Sequence, residues 1–201
     1  MRRVLAAAAF SILAVALPIP LHAADQAGEF AIKGAGVQTC ASLTRAWTTK
    51  SADLKLYAGW IDGYLTGMNQ HTDQTFDAAP WQNAGTLLDL VNQMCRQESP
   101  DARFIDLFNR LMRDFMPARL AEQSPASAIQ RGDNAVVLYD DTVQRIQRRL
   151  TEAGFLVGDA DGVFDDQVAE ALEKFQTSKS LPATGFPDQQ TLFMLFVSQA
   201  G

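Results

Sequence analysis

The sequence predicts an all-α protein of two helical domains behind a short apolar leader. Apolar side chains recur at steps of three and four residues over most of residues 39–117 and again after residue 140. Glycine, proline and capping residues punctuate both stretches. Between them, residues 118–135 mix small and polar residues without an apolar face. We therefore expect a helical bundle at 39–117, an inter-domain linker at 118–135 and a second helical domain at 136–201.

Residues 1–23 have the anatomy of a cleavable secretory signal. Two arginines provide a positive start, residues 4–17 form an uncharged apolar run, and the small residue Ala23 precedes the predicted cleavage point. The run is shorter than the ~20 residues that a transmembrane helix needs, which favours a signal over the alternative of a membrane anchor. We expect an exported, periplasmic protein without a membrane span after signal removal, and residues 24–38 as a poorly ordered lead-in.

The overall charge limits the classes of partner. The chain has 17 basic and 23 acidic residues, and removal of the predicted signal leaves 15 basic against 23 acidic residues, a net charge of −8. A negative surface does not attract nucleic acid or anionic lipid. Nucleic acid is therefore not an expected partner, and the surface provides no long-range attraction for any polyanion.

The sequence contains two cysteines, Cys40 and Cys95. An even number of cysteines in an oxidising compartment predicts one disulfide, with two buried thiols as the alternative. The bond would tie the first predicted helix to the end of the third. In the chain-entropy description, a disulfide over a loop of this length contributes about 4 kcal/mol to stability.

Four helices are predicted in the bundle. The first covers residues 41–47, and the third covers residues 84–96. The second is capped by Ser51 and carries apolar residues at helical spacing between 57 and 68. The fourth begins at 99–101 and ends before Pro117. Gly59, Gly63 and Gly67 form a stripe on the second helix at a cost in helix stability. The stripe predicts a close helix contact or a docking surface for a partner.

Nothing in the sequence predicts an enzyme. Once His22 leaves with the signal, His71 is the remaining histidine, and its polar surroundings predict a surface loop. A zinc hydrolase needs several His or Cys ligands, and a cysteine transpeptidase needs a free thiol with a histidine partner. No phosphate-binding glycine motif occurs. We expect no catalytic residues, metal or cofactor; a pair of glycosidase carboxylates stays open, because acidic residues are common.

The C-terminal domain is predicted as three helices joined by two structured loops. Asp140-Asp141 caps the first helix, which Gly154 ends. Asp161-Gly162 predicts a tight turn in which the glycine takes a positive φ. Gln147 and Gln176 hold matching places on two helices, and each amide is expected to tie loop backbone groups to its helix.

This series of residues resembles the peptidoglycan-binding domain of bacterial cell-wall proteins, in order and in spacing. The matching pieces are Val143-Gln144-Arg145-Ile146-Gln147-Arg148-Arg149-Leu150, Gly154, Asp161-Gly162-Val163-Phe164, Ala171-Leu172-Glu173-Lys174-Phe175-Gln176, Leu181-Pro182-Ala183-Thr184-Gly185, Asp188 and Thr191-Leu192. Two positions depart from the family pattern: Asp165 replaces the usual glycine, and Val168 stands where threonine is frequent.

The resemblance implies a three-helix module that binds peptidoglycan in the groove between the loop and the second helix. The candidate ligand-binding residues that it implies are Asp161, Gly162, Phe164, Gln176 and Thr184. Each of them also has a purely structural interpretation, in which it builds the fold whatever the ligand.

The N-terminal domain resembles the small helical periplasmic proteins of the HdeA and Rap1a-immunity kind. The residues that carry the resemblance are Cys40, Trp60-Ile61-Asp62-Gly63-Tyr64-Leu65-Thr66-Gly67 and Cys95. It implies a disulfide-closed bundle that binds another protein. We therefore expect a non-catalytic periplasmic protein that binds peptidoglycan and presents a protein-binding domain. The alternatives are a stress chaperone or toxin-immunity-like protein localised to the wall, and a degenerate module that mediates protein contact alone.

Overall fold

The structure, a computed structural model, describes residues 25, 27 and 29–197. The predicted signal at 1–23 lies outside the described residues. The residues before Lys33 belong to a unit of their own. In that unit the Asp25 carboxylate accepts the backbone N–H groups of Ala27 and Glu29, at 2.9 and 2.8 Å.

The described chain is predominantly helical, as predicted, with one two-stranded antiparallel sheet. Its elements are α1 Cys40–Thr48, α2 Leu54–His71, α3 Ala84–Cys95, α4 Phe104–Phe115, β1 Ala126–Arg131, β2 Asn134–Tyr139, α5 Asp140–Glu152, α6 Asp166–Ser178 and α7 Gln189–Phe196, with 3-10 helices at Gly34–Val37 and Met116–Ala118. Among the residues described, none of the helices has the length and apolar character needed to cross a membrane.

Helices α1 to α4 pack around an apolar core and are closed by the predicted disulfide. Leu43, Ile61 and Leu87 are fully buried in this core. Cys40, the first residue of α1, is bonded to Cys95, the last residue of α3, with their Cα atoms 5.1 Å apart. The disulfide prediction is confirmed.

Aromatic residues of α2 and α4 connect this core to the 3-10 helix Gly34–Val37. Trp60 stacks on Tyr64 and meets Phe104 edge to face, with ring centroids 4.8 and 5.5 Å apart. The Trp60 indole N–H donates to the Lys33 carbonyl oxygen at 2.8 Å. The predicted lead-in therefore contains an ordered helix at its end, because packing against the bundle fixes it.

The fourth helix begins later than its sequence indicated. The segment 99–101 predicted its start, whereas α4 begins at Phe104. The carbonyl oxygens of Pro100 and Ala102 instead accept the backbone N–H groups of Ala41 and Cys40, both at 2.9 Å. These bonds satisfy donors that the start of α1 leaves without helical partners. The segment forms a turn, closed by the Ala102 N–H on the Ser99 carbonyl oxygen at 3.0 Å, and does not begin the helix.

Two expectations for α2 are wrong. His71 is the last, exposed residue of this helix and does not lie in a loop. A Cβ added at Gly59, Gly63 or Gly67 would meet no atom within 4 Å. Within the described chain the glycine stripe therefore makes no close helix contact; docking of a partner on it is untested.

A β-hairpin occupies part of the segment that was predicted as linker. Strands β1 and β2 pair in antiparallel register from Ala126↔Tyr139 to Arg131↔Asn134. Gly132, with φ +58°, and Asp133 form the two-residue turn. Ile129 and Leu138 are buried against the C-terminal helices. Burial of one apolar side chain on each strand therefore orders residues that look like a polar connector.

The C-terminal helices share their core with a residue from the loop before α3. Trp81 is 7% exposed and packs with the side chains of α5, α6 and α7, its ring 5.6 Å from that of Phe196. The Gln189 amide donates to the Trp81 carbonyl oxygen and accepts the backbone N–H of Asn83 at 3.0 Å. Residues from Lys33 onward thus belong to one compact unit. The division of this unit into a bundle domain and a C-terminal domain stays a prediction.

Candidate ligand-binding surface of the C-terminal module

The loop between α5 and α6 presents an apolar and polar surface. Gly154, at φ +76°, follows the end of α5, and Leu156 anchors the loop in the core with 7% of its surface exposed. Val157 and Val163 point outward and are 84% and 57% exposed. Phe164 is half-buried and packs against the module core. The loop is therefore anchored in the module core by Leu156 and exposes the apolar side chains of Val157 and Val163 to solvent.

Gln147 of α5 fixes the turn of this loop, as its position predicted. Its side-chain amide donates to Asp161 Oδ1 at 2.8 Å and to the Val163 carbonyl oxygen at 3.1 Å. Its oxygen accepts the Gly162 N–H at 2.9 Å. Gly162 adopts φ +84°, and a Cβ there would lie 3.0 Å from the Asp140 carbonyl oxygen. Glycine is thus required by both conformation and space.

Hydrogen bonding favours the ionised form of Asp161. The amide of Gln147 and then the backbone N–H of Val163 stabilise its carboxylate, and these donors lower the pKa of Asp161. The side chain is exposed. The turn therefore holds an ionised carboxylate in a fixed orientation at the surface.

A second buried glutamine organises the loop between α6 and α7. The Gln176 side-chain oxygen accepts the N–H groups of Thr184 and Gly185, both at 2.9 Å. Its amide donates to the Phe186 carbonyl oxygen at 3.0 Å. Gln176 is fully buried, so it acts on the surface only through the loop it holds. Thr184 is exposed on that loop.

The two departures from the family pattern have structural roles. Asp165 is the N-cap of α6, and its carboxylate accepts the Val168 N–H at 2.9 Å. Val168 is 3% exposed and belongs to the module core. A capping carboxylate stabilises the exposed N-H groups of a helix start. Both substitutions are therefore accommodated by the fold.

With this geometry in place, comparison with known families is informative. Residues 139–195 match the family described as "Putative peptidoglycan binding domain". This part of the chain is similar to that family over 57 residues. The match extends from the end of β2 into α7 and contains both glutamine-held loops. No curated protein and no solved structure matches the chain.

The predicted site residues fall into two groups within the matched segment. Asp161 and Gly162 lie together on the turn held by Gln147, next to Phe164 in the same loop. Gln176 and Thr184 lie together in the loop before α7. The assignment of these five residues to ligand binding remains a prediction.

Sequence reasoning did not single out the exposed surface itself. Val157 and Val163 were not predicted as contact residues, because an apolar side chain in a loop carries no sign of its exposure. Gln167 was also missed: its amide donates to the Val157 carbonyl oxygen at 3.0 Å and ties the loop to α6. A polar side chain in the first turn of a helix that follows a structured loop is the signal that could have indicated it.

The surface has the chemistry of a binding site. On the loop between α5 and α6, Asp161 offers charged hydrogen-bond acceptors, and Val157 and Val163 offer apolar contact. Thr184 lies on the separate loop before α7, where its hydroxyl oxygen accepts the Phe186 N–H at 3.2 Å. Within the described residues, no group of three His, Cys, Asp or Glu side chains is placed to hold a metal ion. The loop between α5 and α6 therefore combines a charged hydrogen-bond acceptor with exposed apolar side chains.

Proposed function

We propose that the protein is exported to the periplasm, attaches to peptidoglycan through its C-terminal module without cleaving it, and presents the helical bundle to another protein. The observation that carries the proposal is the family match at residues 139–195. The turn at Asp161 supports it, because loops fixed on a rigid scaffold commonly carry binding residues.

Binding to purified wall tests the leading proposal. The whole chain without residues 1–23 is mixed with sacculi and pelleted, and the supernatant is analysed for released muropeptides. We expect the protein in the pellet and no soluble fragments. The variant Val157→Ser/Val163→Ser removes the exposed apolar contacts without touching the core, and it should pellet at least about tenfold less well.

Val137→Ser is the matched control for that variant. Val137 is 65% exposed on β2 and outside the matched segment, so the same chemical change there should leave pelleting unchanged. Equal pelleting of all three proteins would contradict the assignment of the binding surface. Failure of the wild type to pellet would contradict wall binding, and release of muropeptides would contradict the non-catalytic proposal.

A cleft on the bundle supports the proposal of a protein partner. It has a volume of about 800 Å³ and lies between the 3-10 helix Gly34–Val37, α1 and α2. Tyr57 and Trp60 contribute aromatic surface, and Leu56 is 68% exposed at its edge. Arg45 and Asp53 also line it. Aromatic and aliphatic surface with a few charged groups at the edge is typical of a peptide-binding cleft.

Site-specific crosslinking tests the bundle cleft. A photo-crosslinker at position 56 should form a discrete adduct with a periplasmic protein, whereas one at Gln70, exposed on the same helix outside the cleft, should not. Identical adducts from the two positions, or none from position 56, would contradict the proposal.

The same cleft favours a second candidate, a wall-localised stress chaperone or toxin-immunity-like protein. A disulfide-closed bundle with an apolar cleft can hold an exposed segment of another protein. A chaperone would protect client proteins from aggregation at acid pH, and an immunity protein would co-purify with one toxin at fixed stoichiometry. The Leu56→Asp variant should lose either activity while it still pellets with sacculi.

The mature N-terminus tests export. Expression in a Gram-negative host should yield a periplasmic protein whose first residue is Ala24. A cytoplasmic location, or a chain that retains residues 1–23, would contradict this part of the proposal.

A further inference from the structure

A second cleft of the module is lined by arginines and lies against the loop before α3. It has a volume of about 380 Å³. The side chains that give it its chemistry are those of Trp81, Arg145, Arg148, Arg149, Glu152 and Phe196. The cleft thus brings three arginines together in a chain whose net charge is −6.

Arg145 forms a fixed wall of this cleft. Its guanidinium pairs with Asp141 at 2.8 Å and donates to the carbonyl oxygens of Ala118 and Arg119. These contacts neutralise its charge and hold its stem in place. Arg145 therefore shapes the cleft and adds little attraction for a ligand.

Arg148 and Arg149 provide the available positive charge. In the described part of the chain, Arg148 is exposed and forms no ion pair or side-chain hydrogen bond. Arg149 pairs with Glu152 at 3.0 Å, and the two side chains are 47% and 62% exposed. A pair so exposed to solvent is weak and can exchange partners. The cleft thus has one unmatched guanidinium and a second that can turn to a ligand.

Aromatic side chains give the cleft a rigid apolar side. The rings of Trp81 and Phe196 lie 5.6 Å apart at 45°, and the Trp81 backbone is held by Gln189. A concave site with aromatic walls and few charged groups suits a small organic anion better than a highly hydrated inorganic one. The planar guanidinium fork matches a carboxylate in geometry.

We propose that this cleft binds a carboxylate of the peptide that is attached to the wall glycan. The inference rests on the proposed function, because wall attachment brings such peptides to α5. One face of α5 carries Arg148 and Arg149, and another carries Gln147, which holds the Asp161 turn. Helix α5 therefore positions both the arginine cleft and the Asp161 turn. The arginines attract negatively charged groups of a ligand, and the Asp161 carboxylate attracts groups that are positively charged or donate hydrogen bonds.

Calorimetry with a soluble stem tetrapeptide and the whole chain without residues 1–23 tests the proposal. The free-acid peptide should bind, and the same peptide with amidated carboxylates should not. Arg148→Gln/Arg149→Gln should weaken binding of the free acid about tenfold or more. Arg96→Gln/Arg113→Gln makes the same charge change at exposed positions outside the cleft and should leave affinity unchanged.

The outcomes separate the cleft from wall attachment as a whole. No peptide binding, equal binding of the acid and amide forms, or equal affinity in both double variants would overturn the carboxylate site. Inorganic phosphate that displaces the peptide at equal concentration would show a general anion site and overturn it too. Pelleting with sacculi is measured in parallel: pelleting without peptide binding leaves the proposed function standing, and peptide binding without pelleting leaves the cleft standing.

Discussion

The bundle and the C-terminal module are stabilised in different ways. The bundle has a covalent tie, Cys40–Cys95, and an aromatic cluster between α2 and α4. The module has two buried glutamines, each of which holds a loop to a helix through several hydrogen bonds. A small core can therefore be stabilised by a covalent crosslink, which restricts the unfolded chain. It can also be stabilised by buried polar groups whose hydrogen bonds are satisfied in a single loop conformation.

This difference explains where a family resemblance is visible. A loop held by one amide requires particular residues at particular spacings, such as Gln147 with Asp161-Gly162. Apolar packing accepts many side chains of similar volume, so a helical bundle constrains its sequence loosely. The match to a known family accordingly covers residues 139–195 and leaves α1 to α4 outside it.

Removal of the disulfide should have the largest effect. We expect Cys40→Ala/Cys95→Ala to lower the free energy of unfolding by about 4 kcal/mol, because the unfolded chain regains the entropy of a loop of 55 residues. Urea denaturation measures the change, and reductant should destabilise the wild type but not the variant. Amide exchange should rise more in α1 and α3 than in α6. An equal rise in all helices would contradict a mainly local effect of the disulfide on α1 and α3.

Loss of a buried glutamine should have the next largest effect. Gln176→Met keeps the side-chain length but leaves the N–H groups of Thr184 and Gly185 and the carbonyl of Phe186 without partners. We expect a loss of about 3 kcal/mol in urea denaturation and faster exchange of those amides. Gln190→Met, an exposed change on α7, is the control. Equal stability of the two variants would show that the amide does not hold the loop.

Two glycine substitutions should change stability in opposite directions. Gly63 is an exposed position of α2. Gly63→Ala should raise the unfolding free energy by about 1 kcal/mol, because alanine favours the helix and its Cβ would meet no atom within 4 Å. Gly162→Ala should lower it by more than about 1 kcal/mol, because φ is +84° and the Cβ would lie 3.0 Å from the Asp140 carbonyl oxygen. Thermal unfolding measures both, and destabilisation by Gly63→Ala would reveal an unseen contact on the glycine stripe.

Local patterns predicted the parts of the fold that local chemistry determines. Gly154 ends the region of α5 with a positive φ, as predicted, and Asp188 precedes α7 and accepts the Thr191 N–H at 2.7 Å. The predicted cap at Asp140-Asp141 is wrong, because α5 begins at Asp140 and no side chain caps its N-cap residue, Tyr139. The positions of Gln147 and Gln176 predicted the loops that they hold. Each of these features joins residues fewer than about twenty positions apart, so a single stretch of sequence contains both partners.

Contacts between distant segments could not be predicted in this way. Nothing near Trp81 indicates that it packs with Phe196. The backbone hydrogen bonds from Cys40 to Ala102 and from Ala41 to Pro100 replace the helix start that the sequence predicts before α4. The hairpin did have a signal, Gly132-Asp133, but β1 has a single buried apolar side chain, Ile129. The arginine cleft could not be predicted either, because it joins Trp81 to arginines of α5 that are far away in the sequence.

The smallest expected effect concerns the charge of Asp161. Hydrogen bonds from Gln147 and Val163 lower the pKa of Asp161 in the folded protein below its unfolded value of about 3.9. A lowered pKa means that the ionised form favours folding above about pH 4, and that this contribution is lost as the pH falls through the folded value. Asp161→Asn keeps an acceptor oxygen but cannot titrate. We therefore expect its unfolding free energy to fall less steeply than that of the wild type below pH 4, in urea denaturation series at fixed salt.

Asp133→Asn, in the exposed hairpin turn of β1 and β2, is the control. Parallel pH profiles for all three proteins would mean that the turn gains its order from the neutral hydrogen bonds of Gln147 alone, and the carboxylate would then be available to a ligand at no cost to the fold.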